Sequence, residues 1–172
     1  MSAARGQKRK HNGSGSGKTS LGRLFVCGKG GNIQMEQEDF GLISIIMAAY
    51  NAEKTIEQAI DSVLRQTYQK FELLVVNDCS QDATADLIKH FSDSDPRVRL
   101  LQNAKNSGVS FTRWHALKEA HGEWIAILDS DDAWTPDKLE KQVALQKRTK
   151  ADLIFTGSAF MDTSGQKLNW RM

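Results

Sequence analysis

Residues 43–64 read ISIIMAAYNAEKTIEQAIDSVL, an apolar run followed at once by a segment with helical periodicity. The run at 43–50 has the length of one strand and almost no polar residue, which is typical of a strand buried on both faces. After it, apolar residues recur at i, i+3, i+4, i+7 and i+8, and so predict one face of a helix: Ile56, Ala59, Ile60, Val63 and Leu64. We expect Asn51 to cap that helix. Strand followed by helix is therefore the unit to look for in the rest of the chain.

The same alternation continues through the chain. Further strands are predicted at 71–78 (FELLVVND), 98–103 (VRLLQN), 124–128 (WIAIL) and 151–155 (ADLIF). Helices are predicted after Ser80, after the turn at 106–108 and from Thr135-Pro136-Asp137, where a proline at the first helical position and an early acid are favourable. A hairpin tip is predicted at 164–165. Apolar strands alternating with amphipathic helices predict an α/β fold, a mostly parallel sheet with helices on both faces.

Charge divides the chain into two regions. Residues 1–34 contain seven Lys or Arg and no acid, whereas the remaining 16 basic residues face 21 acidic ones, a net charge of −5. A mildly acidic body argues against a nucleic-acid-binding domain. The Gly/Ser-rich basic segment has no periodicity, so we expect residues 1–38 to form a disordered basic arm and residues 39–172 to form the domain.

The cysteines and the hydropathy indicate a cellular setting. Cys27 and Cys79 do not form the disulfide framework of a small secreted protein, which favours a reducing compartment. No run approaches the ~20 apolar residues of a membrane span. We therefore expect a cytoplasmic protein without a membrane span, whose contact with the membrane would be peripheral, at its inner face.

Several common motifs fail on inspection. The segment GSGSGKTS lacks the first glycine of a phosphate-binding P-loop, because that position is Asn12. The segment CGKGGN lacks the third glycine of a dinucleotide-binding fingerprint, because that position is Ile33. The four histidines share no metal-ligand spacing, and we expect them to be surface or helix residues. A nicotinamide enzyme and a histidine-based metal centre are both disfavoured.

An acidic cluster follows the predicted strand at 124–128. Asp129, Asp131 and Asp132 fall within four residues, and like charges this close repel one another unless a cation lies among them. In an extended backbone, residues i and i+2 point the same way, so Asp129 and Asp131 would face one ligand. Paired carboxylates suit Mg²⁺ or Mn²⁺, which take their remaining ligands from water and substrate phosphates. The cluster predicts a metal-bound diphosphate at a strand end, with the metal ion activating a leaving group.

Three ordered segments then resemble a known family. ISIIMAAYNAEKTIEQAIDSVLRQTYQKFELLVVNDCSQDAT, NSGVSFTRW and GEWIAILDSDDAWTPDKL are similar to the nucleotide-sugar half of family 2 glycosyltransferases of the GT-A fold, over roughly residues 40–160. The resemblance implies a Rossmann-like domain that moves a sugar, with inversion, from a nucleotide diphosphate to a saccharide or lipid-linked acceptor. It implies a UDP-sugar donor, Mn²⁺ or Mg²⁺ as the metal, and a role in cell-envelope polysaccharide biosynthesis.

The resemblance also assigns roles to five residues. Tyr50 matches the residue that lies against the nucleotide base, and Asp78 matches the acid that hydrogen-bonds the base. Asp129 matches the first acid of the D-x-D motif, near the ribose or metal, and Asp131 matches the metal ligand. Arg113 matches the arginine of the G-x-S-x-x-R segment and is expected to approach the diphosphate. Two departures, Cys79 for glycine and Trp114 for asparagine, bear on donor selectivity rather than on class.

The catalytic base is not identified in the sequence. Inverting transfer needs a group that takes the proton of the acceptor hydroxyl, and in this family it lies in a later, acidic motif of the acceptor-binding half. None of the acids after Asp132 matches that motif, so we expect the base beyond residue 172 and the acceptor part to be missing from a truncated chain. Two alternatives stay open. One is a non-catalytic nucleotide-sugar-binding remnant, and the other is a haloacid-dehalogenase-type phosphohydrolase using the acids of LDSDDA, whose fifth motif position is Ala133.

Overall fold

A computed structural model of the chain describes residues 40–161. The predicted alternation of strands and helices is present from residue 43 to residue 149. The elements are β1 Ile43–Ala49, α1 Ile56–Leu64, β2 Phe71–Asn77, α2 Thr84–Ser94, β3 Val98–Gln102, α3 Gly108–Glu119, β4 Trp124–Ile127 and α4 Lys138–Thr149. The predicted basic arm and the predicted hairpin tip at 164–165 lie outside the described residues.

The four strands form one parallel sheet in the order β3-β2-β1-β4. The chain first moves outward from β1 to β3 and then returns to the other side of β1 to form β4. The strand order therefore reverses between β1 and β4. In open α/β sheets, ligands bind outside the carboxyl ends of the strands at such a reversal, which directs attention to the segments that follow β1, β2 and β4.

Helices cover both faces of the sheet, as the sequence predicts. On one face, alternate residues of β1 and β2 pack against α1, α2 and α4 in a buried cluster that includes Met47, Ile60 and Leu139. On the other face, Ile46, Leu74 and Val76 pack with Ala116 of α3. The helix α3 connects β3 to β4, so the segment that crosses back over the sheet is also the one that covers its second face.

Burial of α1 accounts for its docking. Ile56, Ala59, Ile60 and Val63 are fully buried, and a fully buried Ile or Val side chain contributes roughly 1.5–3 kcal/mol relative to its exposed state. The helix has no side-chain cap. Packing of one apolar face, rather than end capping, therefore holds α1 on the sheet.

The predicted fifth strand is wrong. Residues 151–155 form neither a helix nor a strand, and Leu153 and Phe155 are 70% and 83% exposed. A short apolar run has no preference that distinguishes a strand from other conformations until a neighbouring strand pairs with it. None of the four strands in the described part of the chain pairs with this run.

Two predicted helix starts also differ. Asn51 does not cap α1, because it has a left-handed backbone (φ 49°) and lies five residues before the helix. Pro136 is not the first residue of α4, which begins at Lys138 with Asp137 as its cap; the Lys141 N–H donates to the Asp137 carbonyl at 3.0 Å. Within residues 40–161, no helix is both long and apolar enough to cross a membrane.

Candidate functional site

The loops after β1 and β2 are joined by side-chain hydrogen bonds that run in both directions. The Asn51 N–H donates to Ser80 Oγ at 3.0 Å, and the Gln81 N–H donates to Asn51 Oδ1 at 2.8 Å. The Ala52 N–H donates to the buried hydroxyl of Thr84 at 2.8 Å. Asn51 thus contributes to the site as a link between loops rather than as a helix cap.

Tyr50 comes directly before this linked pair of loops. Its side chain is large and apolar, yet the residue is 50% exposed at the carboxyl end of β1. An exposed aromatic ring fixed beside a rigid turn can stack on a flat ligand. Tyr50 is therefore an exposed ring at the carboxyl end of β1, and its contact with a nucleotide base stays a prediction.

Asp78 directly follows β2 and is buried, with 4% of its surface exposed. Its Oδ1 accepts hydrogen bonds from Asn103 Nδ2 at 2.7 Å and from the Ser107 N–H at 2.8 Å, and its Oδ2 accepts from the Gly108 N–H at 2.8 Å. Burial acts to raise the pKa of Asp78, but these hydrogen bonds outweigh it and the pKa is lowered. Asp78 is thus an ionised carboxylate that holds the first residues of α3.

Asn103, Thr112 and His115 surround Asp78, and the sequence did not predict a role for any of them. Asn103 also contacts Thr112 Oγ1, through Nδ2 at 2.9 Å, and His115 Nδ1, through Oδ1 at 2.7 Å. Asn103 follows β3 directly, so its place at a polar strand end could have drawn attention to it. His115 gives no such signal, because only the packing of α3 on the sheet brings it to Asn103.

Arg113 and Asp129 meet directly in an ion pair through Arg113 Nη2 and Asp129 Oδ1. The Arg113 side chain is 35% exposed and the Asp129 side chain is 50% exposed. The Arg113 Nε atom is buried without a hydrogen-bond partner among the described residues. The crossover helix α3 therefore delivers one cation to the end of β4, and that cation retains an unused donor.

The acidic cluster is a turn and not an extended segment. The Asp132 N–H donates to the Asp129 carbonyl at 3.1 Å, and Ser130 and Asp131 form the turn between them. The predicted extended conformation of this segment is therefore wrong, and a common direction of Asp129 and Asp131 does not follow from it. Burial, followed by the charges of Asp131 and Asp129, raises the pKa of Asp132. The cluster thus has negative charge in excess, even with Arg113 paired to Asp129.

The excess negative charge of the turn at 129–132 is the feature that suits a divalent cation. Asp131 is exposed, and neither an ion pair nor a hydrogen bond to its side chain occurs in the described part of the chain. No group of three His, Cys, Asp or Glu residues between 40 and 161 is arranged to hold a metal ion. Mg²⁺ characteristically needs only one or two carboxylates when phosphates and water supply its other ligands. The acidic turn fits a cation brought with a diphosphate better than a cation held by protein alone.

A separate cavity of about 920 Å³ lies on the other side of β4, between that strand, α4 and residues 152–159. Of the acidic cluster, only Asp132 lines it. Lys138 also lines this cavity, lies over the Trp134 ring at 3.8 Å, and has a pKa lowered by burial to about 8. The cavity is thus adjacent to the acidic turn but separate from Tyr50 and Asp78.

Comparison with known proteins connects this arrangement to a family. The sequence model of Glycosyl transferase family 2 matches residues 44–171. The Escherichia coli protein WfgD, named as a UDP-Glc:alpha-D-GlcNAc-diphosphoundecaprenol beta-1,3-glucosyltransferase, is 46% identical over 114 residues, 66% of this chain and 44% of that protein.

Two solved structures share the fold. TarS of S. aureus in complex with UDP is 33% identical with a TM-score of 0.60, over 64% of this chain and 33% of that chain. The mannosyltransferase PcManGT from Pyrobaculum calidifontis, in complex with GDP-Man and Mn2+, is 27% identical with a TM-score of 0.58, over 62% of this chain and 32% of that chain.

The chain spans about half the length of the curated relatives that it matches. The match nevertheless covers the strands, the loops after β1 and β2, and the acidic turn described above. On its sequence and on its parallel sheet with two covered faces, the chain belongs to glycosyltransferase family 2, with the GT-A fold.

Proposed function

We propose that this domain binds a nucleotide-diphosphate sugar, with uridine as the base, and serves the transfer of the sugar to a saccharide or lipid-linked acceptor with inversion. The observation that carries the proposal is the grouping at one sheet edge of an exposed ring, an ionised buried carboxylate and an excess of acidic charge: Tyr50, Asp78 and the turn at 129–132. Solved structures that share the fold contain UDP, UDP-GlcNAc and GDP-Man.

Each part of the nucleotide has a proposed partner. Tyr50 stacks on the base, and the remaining lone pair of Asp78 Oδ2 accepts the imide N–H of uracil. Asp129 approaches the ribose or the metal, and Arg113 turns its unused donor toward the diphosphate. Asp131 is the proposed protein ligand of Mn²⁺ or Mg²⁺. When bound, such an ion neutralises the negative charge that develops on the departing diphosphate.

The residues described here do not supply an obvious general base. Asp137 pairs with Lys141 at 2.5 Å, and Glu140 Oε2 accepts from Thr67 Oγ1 at 2.7 Å, so both belong to the anchoring of α4. We therefore propose that the base comes from another segment of the acceptor-binding half. Family membership favours glycosyl transfer over phosphate-ester hydrolysis, and the pairing of Asp129 with Arg113 leaves the proposed hydrolytic nucleophile engaged.

Calorimetric titration of UDP with and without Mn²⁺ tests the donor site. We expect UDP binding that strengthens with Mn²⁺, and we expect Asp131→Ala to lose at least roughly tenfold of the affinity measured with Mn²⁺, which corresponds to one lost charge-assisted contact. Asp93→Ala, at an exposed site on α2, is the matched control and should bind as the wild type does. Equal affinity with and without Mn²⁺ in the wild type would refute metal dependence.

Transfer is tested separately with radiolabelled UDP-sugar and a lipid-linked acceptor. Incorporation of label that requires Asp131 supports the transferase. Binding of UDP without incorporation into any acceptor supports a nucleotide-sugar-binding domain without activity of its own. Release of inorganic phosphate from a monoester, abolished in Asp129→Asn, would favour the phosphohydrolase instead.

A further inference from the structure

A row of polar contacts adjoins the buried Asp78. It consists of Asn103, Thr112 and His115, and it leads from the buried carboxylate to a half-buried histidine on α3. The proposed donor site uses none of these three residues directly.

The hydrogen-bond directions in this row are fixed by elimination. The ionised Asp78 carboxylate can only accept, so the Asn103 group facing it at 2.7 Å is the amide NH₂. Thr112 Oγ1 donates to the Gly108 carbonyl at 2.8 Å, so it accepts the second Asn103 N–H at 2.9 Å. Both N–H groups of Asn103 are then used, and its Oδ1 faces His115. Since Oδ1 can only accept, His115 carries its proton on Nδ1.

These hydrogen-bond directions determine which nucleotide base Asp78 can bind favourably. Asp78 accepts hydrogen bonds from Asn103, Ser107 and Gly108, and the Thr112 hydroxyl also acts on it. As an ionised carboxylate, it can only accept a hydrogen bond from a ligand. Such a group favours a base that presents an N–H. Uracil has an N–H at ring position 3, whereas cytosine has a lone pair at the same position, which would face the carboxylate oxygen unfavourably.

We propose that His115 is a positioning residue that, through Asn103, sets the preference of Asp78 for a base with an imide N–H over cytosine. This inference rests on the proposed donor site and adds to it residues that do not contact the nucleotide. Without the His115 proton, Asn103 Oδ1 loses its buried partner and the amide is free to rotate. Asp78 then loses one of the donors that orient its carboxylate and favour its ionised form.

The test compares the affinities of UDP and CDP, which share every group except at base positions 3 and 4. The wild type should prefer UDP by roughly tenfold or more, the discrimination expected of a hydrogen bond to a charged group. His115→Ala should weaken UDP binding about three- to tenfold while leaving CDP binding within about twofold, so that the ratio falls. Asn103→Asp, which removes the donor facing Asp78, should lower the ratio further.

Two variants separate positioning from mere folding. His115→Asn places an amide N–H where Nδ1 stands and should restore the UDP to CDP ratio to within about twofold of the wild type. His90→Ala alters an exposed histidine on α2 and should change neither affinity. If His115→Ala weakens UDP and CDP equally, or leaves the ratio unchanged, the inference is overturned while the donor site stands.

A second readout does not depend on nucleotide. The ¹⁵N chemical shifts of the His115 ring in the wild type should identify the tautomer protonated on Nδ1. The tautomer protonated on Nε2 would overturn the inference whatever the nucleotide affinities are. A wild type that binds UDP and CDP equally well would refute the proposed contact of Asp78 with the base, and the inference with it.

Discussion

One buried carboxylate connects parts of the site that lie far apart in the sequence. Asp78 directly follows β2, and its Oδ2 accepts from the N–H of Gly108, 30 residues later, at the first residue of α3. Five residues further along that helix, Arg113 pairs with Asp129 at the end of β4. The position of a predicted base-binding residue and that of the acidic turn are therefore coupled through a single helix.

A glycine before β4 makes an equally local demand. A Cβ at Gly122 would lie 2.5 Å from the Ser44 nitrogen and 2.8 Å from the Leu42 carbonyl oxygen, which are backbone atoms that cannot turn away. We expect Gly122→Ala to lower the free energy of unfolding by roughly 1–3 kcal/mol or more through overpacking. Urea denaturation monitored by circular dichroism measures this.

Gly157→Ala is the matched control for this prediction. Nothing lies within 4 Å of a Cβ built at Gly157, so its stability should stay within about 0.5 kcal/mol of the wild type. An equal stability of the Gly122 and Gly157 variants would contradict the close contact of Gly122 with β1.

At the scale of the elements, Glu72 ties three strands together at the end of the sheet away from the site. Its carboxylate accepts from Ser44 Oγ of β1 at 2.6 Å, from Arg99 Nη1 of β3 at 3.1 Å and from the His121 N–H before β4 at 2.6 Å. Burial acts to raise the pKa of Glu72, but these hydrogen bonds lower it from 4.5 to about 2. The ionised form therefore stabilises the fold.

The contribution of ionised Glu72 to the stability of the fold changes with pH. Because the pKa is lower in the folded state, the stabilisation is fully present above pH 4.5 and is lost as the pH falls from about 4.5 toward 2. We expect Glu72→Gln to be less stable than the wild type by roughly 1–3 kcal/mol at pH 7, the cost of unsatisfied buried partners. The difference should shrink below pH 4.5.

Chemical denaturation of the wild type and of Glu72→Gln between pH 2.5 and 7 measures this difference in the free energy of unfolding. Acidic residues that both proteins share contribute equally to both and therefore do not affect the difference. Glu57→Gln, on the exposed face of α1, controls for the change in net charge. A difference between the wild type and Glu72→Gln that stays constant over that range would show that ionisation of Glu72 does not stabilise the fold.

The sequence predicts well those elements that show a pattern of apolar residues within their own segment. The apolar runs of β1 and β2 are buried over their whole lengths or nearly so, and the periodicity of α1 matches its buried face. The run at 151–155 has a similar composition but lacks a pairing strand among residues 40–161, and pairing is not a local property. The link from His115 to Asn103 likewise depends on the packing of α3, so spacing alone could not reveal it. The turn at 129–132 is closed by a local hydrogen bond instead, and its Asp and Ser residues are ones that favour turns.

At the scale of the molecule, the strand order leaves part of one sheet face open. Ile125 and Ile127 of β4 lie on the face that α3 covers at β1, yet they are 42% and 56% exposed. Strand β4 is also an edge of the four-stranded sheet, and exposed apolar edges promote association. We expect this chain, tested as it is, to self-associate with rising concentration.

Sedimentation velocity of the wild type and of the double variant Ile125→Thr, Ile127→Thr checks that expectation. The variant should remain monomeric at concentrations where the wild type associates, and its thermal midpoint should change little because both positions are exposed. Val109→Thr, at an exposed site on α3, is the control. Association that persists unchanged in the double variant would assign the contact to another surface.

The paired loops after β1 and β2 limit how the molecule can vary. Because Asn51 and the segment 80–81 exchange hydrogen bonds in both directions, and Thr84 binds Ala52 as well, an insertion in either loop would displace the partners of the other. The two connections cannot lengthen independently. Relatives that acquire a longer segment after the first strand should therefore show a compensating change after the second.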